Sequence, residues 1–527
     1  MSLAWKRGGS LRNIAVVSFA LVVTALLATA SGAGAAELVY WDNFKASPQT
    51  IAFASTDGTG GGALNLTGMT LEDPEGIAYD SVTGRLYIAS NSGGASDDGE
   101  IVFVNVDGSG AGVLNTSGAQ VVDPYGVAVD PATRMVYWAN SEGGPGDKGT
   151  IAYARLDGSG GGTLNTAGTT VALPYKLAID PVGGRVYWAN GESDPDQIAF
   201  ANLNNTGGGG ILDLTGAPAP EFVTGVAVDS TAGRVYWLDE EGEHIGFASV
   251  SGGGGGELNL TGAAFNGPYG LAIDPVLGRV YWANYDQDEV RANAIGFLNL
   301  AGGVGGISPV TAPLDGAQDP VILKSPTGTA VPAIGKVATS RSLLSCSQGG
   351  WAADFAGSFV YQAPRTITYQ WILNGAAIAG ATAPTLDATA PGAYACVVTA
   401  TNQAGAAAQA SAPTTIKAAT MKLTTKKKAR VQPGGVAIFK VTGVNQGDLK
   451  SASARVCVKT SKKAKKDLKA KPKCKPLGAV TAGAKDSAKL RIKVGEFAGG
   501  VYKVAFQVKG SAGKAARAKI VVAAPKK

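Results

Sequence analysis

The heptapeptide GRVYWAN stands at residues 184–190 and again at 278–284, with near copies RMVYWAN ending at Asn140 and GRVYWLD ending at Asp239. Asp80, Asp130, Asp180, Asp229 and Asp274 each precede a Tyr by seven residues, and successive Asp positions lie 50, 50, 49 and 45 residues apart. A period of this size marks a repeat architecture, in which each unit buries a face only by stacking on the next.

Each unit contains four short apolar or β-branched segments between Gly-rich turns, and such alternation marks strands rather than helices. They read, in order, GVAVD, RVYWAN, an Ile-x-aromatic segment such as Ile151–Tyr153, and LNLTG or a variant. Four strands per unit is the sheet of one propeller blade. Tyr40-Trp41 opens a sixth copy that lacks its GVAVD strand. AQDPVILKSP at 317–326 matches the missing piece, so residues 321–324 are expected to close the first blade of a six-bladed ring. Closure removes the free sheet edges that invite aggregation. The recurring Trp41, Trp138, Trp188, Trp237 and Trp282 read as core rather than ligand contacts.

DPYGVAVDPATRMVYWAN at 123–140, followed by GTIAYARLDGSGGGTLNT at 149–166, resembles the class B repeats of the low-density lipoprotein receptor family, the YWTD propellers. The likeness covers residues 37–326 and implies a six-bladed β-propeller that binds proteins. The family's Thr-Asp after Tyr-Trp is here Ala-Asn or Leu-Asp, at Asn140, Asn190, Asp239 and Asn284. An Asn keeps some hydrogen bonds of an Asp without its charge.

Outside the repeat, residues 1–36 carry Lys6, Arg7 and Arg12, an apolar run at 14–28 and small residues ahead of Glu37. That is the pattern of a cleaved secretory signal, with a run shorter than the ~20 residues of a span. Net charge is divided. Residues 37–326 hold 11 Lys and Arg against 34 Asp and Glu, a net of −23, whereas 420–527 hold 28 against 4, a net of +24.

Four cysteines allow three disulfide connectivities. Cys346, Trp371 and Cys396, with Tyr394 two residues before the second Cys, resemble an immunoglobulin (Ig) sandwich over 327–417, which implies a Cys346–Cys396 bridge. From 418 to 527 a second, Lys-rich sandwich is expected, with Cys457 and Cys474 stapling a basic loop. Few aromatic residues accompany its lysines, which argues against base stacking and nucleic acid. An anionic envelope polymer or the acidic propeller itself is the expected partner.

In a four-stranded blade, the loop between second and third strands and the link to the next blade emerge on one face. That face is expected to be acidic, with Glu75, Tyr125, Tyr175 and Tyr269 near the central opening and Asp239 and Glu241 in a loop, together a candidate binding surface for a protein or glycan. Glu192, Asp194 and Asp196, and Asn284, Asp286 and Asp288, alternate oxygen ligands as calcium loops do, without the Gly and distal Glu of an EF-hand. Calcium is therefore a candidate ligand at both. His244 reads as a surface residue, and no nucleophile elbow, zinc helix or phosphate loop is present. The expectation is an all-β, exported or cell-surface binding or adhesion protein. A secreted propeller hydrolase or lactonase is the alternative, marked by a metal or carboxylate cluster on the axis, and a structural surface protein with no specific ligand is a third reading.

Overall fold

A computed structural model describes residues 37–524, apart from 95–97, 192–194, 286–292, 303, 338–339, 355–359, 463 and 471. The signal segment, Glu192, Asp194, Asp286 and Asp288 lie outside the described residues. The chain is all-β, and residues 37–324 form a β-propeller. Five sheets repeat one order, as in Pro174–Asp180, Arg185–Asn190, Gln197–Asn202 and Gly210–Ile211. In the sixth, Ala317–Lys324 pairs antiparallel with Glu37–Asn43, Tyr40 facing Val321 and Val39 facing Ile322. The first and last strands of the propeller thus lie in one sheet, and the ring has no open seam.

The repeated aromatics make the core because they sit between sheets. Trp138 is fully buried against Ala78, Tyr87 and Val129, two of which belong to the preceding blade. Its indole N–H donates to Asn140 Oδ1 at 3.0 Å, and the same oxygen accepts the amide of Val122. Asn140 Nδ2 then donates to Gln120 O and to Thr150 Oγ1. Asn190 and Asn284 repeat the indole and backbone contacts. An amide both accepts and donates here, which a carboxylate cannot do. Asp239 instead accepts the amides of Glu221, Phe222 and Gly242, and the Trp237 indole has no hydrogen-bond partner among the described residues.

The Asp that ends each first strand caps the following turn, as Asp130 Oδ1 does for the amide of Ala132 at 3.0 Å. Some also reach the next blade: Asp80 pairs with Arg134 at 2.6 Å, and Asp180 accepts from Ser230 Oγ at 2.6 Å.

Beyond the propeller, Cys346 and Cys396 are bonded beside the fully buried Trp371, and the Tyr394 hydroxyl donates to Ala390 O at 2.8 Å. This unit docks on the propeller end that carries the Asp-capped turns. Val360–Tyr361 pairs parallel with Ile322–Leu323 on the channel side of the closing strand. The Tyr361 ring lies 4.9 Å from that of Tyr79, the Tyr79 hydroxyl donates to Gln403 Oε1 at 2.9 Å, and Arg365 donates to Ser81 O. Residues 420–522 form two facing five-stranded sheets around Phe439 and Phe506, whose rings are 5.2 Å apart, and Cys457 is bonded to Cys474. No helix among the described residues is long and apolar enough to cross a membrane.

Candidate functional site at the propeller axis

Glycine recurs where the first strands crowd together around the axis, at Gly76, Gly126, Gly225 and Gly270. A Cβ at Gly126 would stand 2.7 Å from Tyr175 O, so the neck of the channel has no room for most side chains. The third full copy places Lys176 at this position. Its ammonium is buried, 2.7 Å from Asp319 Oδ2 and 3.9 Å from Glu75 Oε2, and it also donates to the carbonyl of Glu75. Burial opposes the ammonium, but Asp319 and Glu75 outweigh it, and the Lys176 pKa lies above the ordinary lysine value.

A second departure from the repeat faces this group. Asp42 is fully buried at a position that is apolar in the five other sheets, where Ala89, Ala139, Ala189, Leu238 and Ala283 stand. Neither of its oxygens has a hydrogen-bond partner on another described residue, and Gln318 Oε1 is likewise unpartnered. Burial, then the negative charge of Asp319, drives the Asp42 pKa well above the carboxylate range. Burial also raises Asp319, against the pull of Lys176, and pushes Glu75 up to about 7. Three carboxyl groups thus share one ammonium, and an unmatched buried carboxyl holds a proton rather than a charge.

Above this group the axis opens into a cavity of about 260 Å³. Tyr125, Tyr175, Phe222, Tyr269, Tyr285 and Phe44 line it, with Glu75, Lys176 and Gln318 at its base. The rings meet edge to face: Tyr125 with Tyr175 at 4.9 Å, and Tyr269 with Tyr285 at 5.6 Å. Lys45 Nζ lies 4.9 Å from the Tyr285 ring centre, so a cation of the chain itself already rests on the aromatic rim. Burial pushes the Tyr125 hydroxyl up to about 12.

Of the residues singled out in the sequence, Glu75, Tyr125, Tyr175 and Tyr269 meet in this cavity. Asp239 does not line it, being engaged by backbone amides, and Glu241 lies on an exposed loop. Asp196 is buried and accepts the Val223 amide at 3.1 Å, and Asn284 is held by Trp282, Asn266 and Ala264. Among the described residues no three His, Cys, Asp or Glu are arranged to hold a metal ion. His244 is buried rather than on the surface. It begins a strand directly beneath its loop, with Nε2 3.8 Å from Asp239. Lys176, Asp42, Asp319, Gln318, Phe44, Phe222 and Tyr285 were not singled out by the repeat pattern. For Lys176 and Asp42 the available signal was a charged residue where other copies have Gly, Ala or Leu.

No family model matches the chain, and no curated protein matches it. Among solved structures, it is similar to one titled as a nidogen/laminin complex, with 16% identity over 54% of this chain and 98% of the other and a TM-score of 0.42. A putative TolB from Agrobacterium tumefaciens is 12% identical over 55% of this chain and 98% of its own, with a TM-score of 0.35. A putative 6-phosphogluconolactonase from Bacteroides uniformis is 14% identical over 60% and 89%, with a TM-score of 0.36. The assignment of a propeller rests on the recurring four-stranded sheets and the shared first blade.

Proposed function

We propose that this chain is an exported binding protein whose propeller, of the YWTD kind, takes a cationic group presented by an extracellular protein or an aminated glycan. The observation that carries the reading is the cavity of six aromatic rings with Glu75 at its base. Ring faces attract cations, and Glu75 at the base supplies an oxygen acceptor that gains a full charge once pH passes about 7. Its volume suits a side-chain tip or one sugar rather than a large ligand. Residues 1–36 act as the export signal in this reading, and two disulfides suit an oxidising compartment. Residues 327–417 serve as an Ig-like spacer docked at the end away from the cavity, leaving the tyrosine rim free.

The test is titration of residues 37–527 with a lysine-rich peptide, with arginine-rich and acidic controls and a glycan array, with and without calcium. Saturable binding of the cationic ligand, reduced at least tenfold in Glu75→Gln and Tyr125→Ala, is expected. Equal binding by both variants overturns the reading.

One observation favours a second reading, a secreted hydrolase or lactonase. Burial pushes the Glu75 carboxyl up to about 7 at the base of the cavity, the range in which a carboxyl serves as general acid or base. Turnover of chromogenic esters or lactones that disappears in Glu75→Gln would select this reading over simple binding.

A further inference from the structure

The outer faces of the C-terminal sandwich place lysines directly against one another. On one sheet Lys428 faces Lys519, which faces Lys503, so three ammonium groups cross three adjacent strands in one row. On the other sheet Lys440 faces Lys489 and Lys469 faces Lys493. All seven are exposed, and among the described residues none has a carboxylate partner. Like charges directly opposite destabilise a sheet, because neighbouring strands are only about 4.8 Å apart. The four acids of residues 420–527 form no ion pair with these lysines among the described residues: Asp448 engages Lys336, Asp467 accepts from Tyr502, Asp486 caps the amides of Gly478 and Ser487, and Glu496 lies beside Gly434.

We propose that these two faces bind a flexible polyanion with a non-aromatic backbone carrying phosphate or carboxylate groups. Charge complementarity favours a polyanion, and the distribution of the rows decides its class. Cations lie on both outer faces, which a planar bilayer cannot meet together but a flexible chain passing around the sandwich can. Phe439 and Phe506 are buried in the core and Tyr502 is half-buried, leaving Phe497 as the exposed ring among the described residues of this unit. One ring provides no platform for successive stacked bases. Attraction of this kind is screened as salt rises.

The experiment uses residues 37–527 with long-chain polyphosphate and polyglutamate as probes, at low and high salt. Expected are saturable binding of at least one probe at low salt, a rise in the melting temperature of the C-terminal unit, and loss of both at high salt. The triple variant Lys428→Glu, Lys503→Glu, Lys519→Glu reverses the sign of the row but keeps like charges opposite one another, so Lys→Gln at the same positions is the second variant. Both are expected to bind at least tenfold more weakly while remaining folded by circular dichroism. Unchanged binding in the folded Gln variant overturns the proposal. So does binding to anionic vesicles without binding to either polymer, which would make the partner a bilayer. Tighter binding of oligothymidylate than of polyphosphate at equal charge also overturns it, by revealing base contacts. Tyr125→Ala is expected to leave polymer binding unchanged, which keeps this test separate from that of the propeller cavity.

Discussion

Lys324 Nζ lies 2.6 Å from Asp274 Oδ2, so the closing strand of the first blade is pinned to the first strand of the last. The same ammonium is 2.9 Å from Glu37, at the other end of the propeller chain. All three groups are buried, with Asp274 fully so. Removing one partner of a buried pair leaves an uncompensated charge, at a cost of about 3–5 kcal/mol. Lys324→Met, which keeps most of the stem, is expected to lower the unfolding free energy of the propeller by that amount, read as an earlier midpoint in a urea titration. A midpoint unchanged from wild type would show that strand pairing alone holds the ring closed.

The amide of Asn140 gives a second prediction. It accepts from Trp138 and Val122 and donates to Gln120 and Thr150. Asn140→Asp removes the donor and sets a buried carboxylate against a carbonyl oxygen. Leaving buried groups unsatisfied costs about 1–3 kcal/mol, so this variant is expected to melt earlier than wild type and to recover part of the loss in acid, where the carboxyl regains a proton. Asp239 shows why the exchange is tolerated elsewhere: there the loop aims three amides at the side chain.

How far the sequence could be read follows from what repeats. Strand order, and the convergence of Glu75, Tyr125, Tyr175 and Tyr269 on one end, were legible because each copy repeats the same turn and the topology assigns that turn to one face. The base of the cavity was not, because an axial group is built from one residue per blade and so never repeats. Lys176 and Asp42 are single departures in copies about 50 residues apart or more, and nothing local says that they meet. Asp319 belongs to the closing strand, whose partner is at the other end of the propeller sequence. Docking of Tyr361 against Tyr79 was hidden for the same reason, being a contact between units with no shared pattern.

Stability should depend on pH through the axial carboxyls. Glu75 is raised to about 7, so between its ordinary pKa and that value the folded state holds a proton that the unfolded state has released. Stability therefore falls as pH rises through this window, by at most roughly 1.4 kcal/mol per unit for one group. The raised Asp42 and Asp319 act with the same sign. Glu75→Gln is expected to flatten the slope of unfolding free energy between about pH 5 and 7 relative to wild type. Identical slopes would show that Glu75 is ionised throughout.

Tyr361 should couple the unfolding of two units. Its ring is buried in a cluster with Tyr79, Ile77, Val321 and Leu323, so a residue from beyond the propeller completes the apolar packing at one end of the axis. Truncating a buried aromatic costs about 3–5 kcal/mol. Much of that loss should fall on the propeller, although the substitution lies outside it. In calorimetry the wild type is expected to show the propeller and the Cys346–Cys396 unit melting together, and Tyr361→Ala to separate them, with the propeller moving to lower temperature. If the propeller transition stays in place, the docking seen at Tyr79 and Ser81 contributes no stability, and the unit would act as a spacer free to swing.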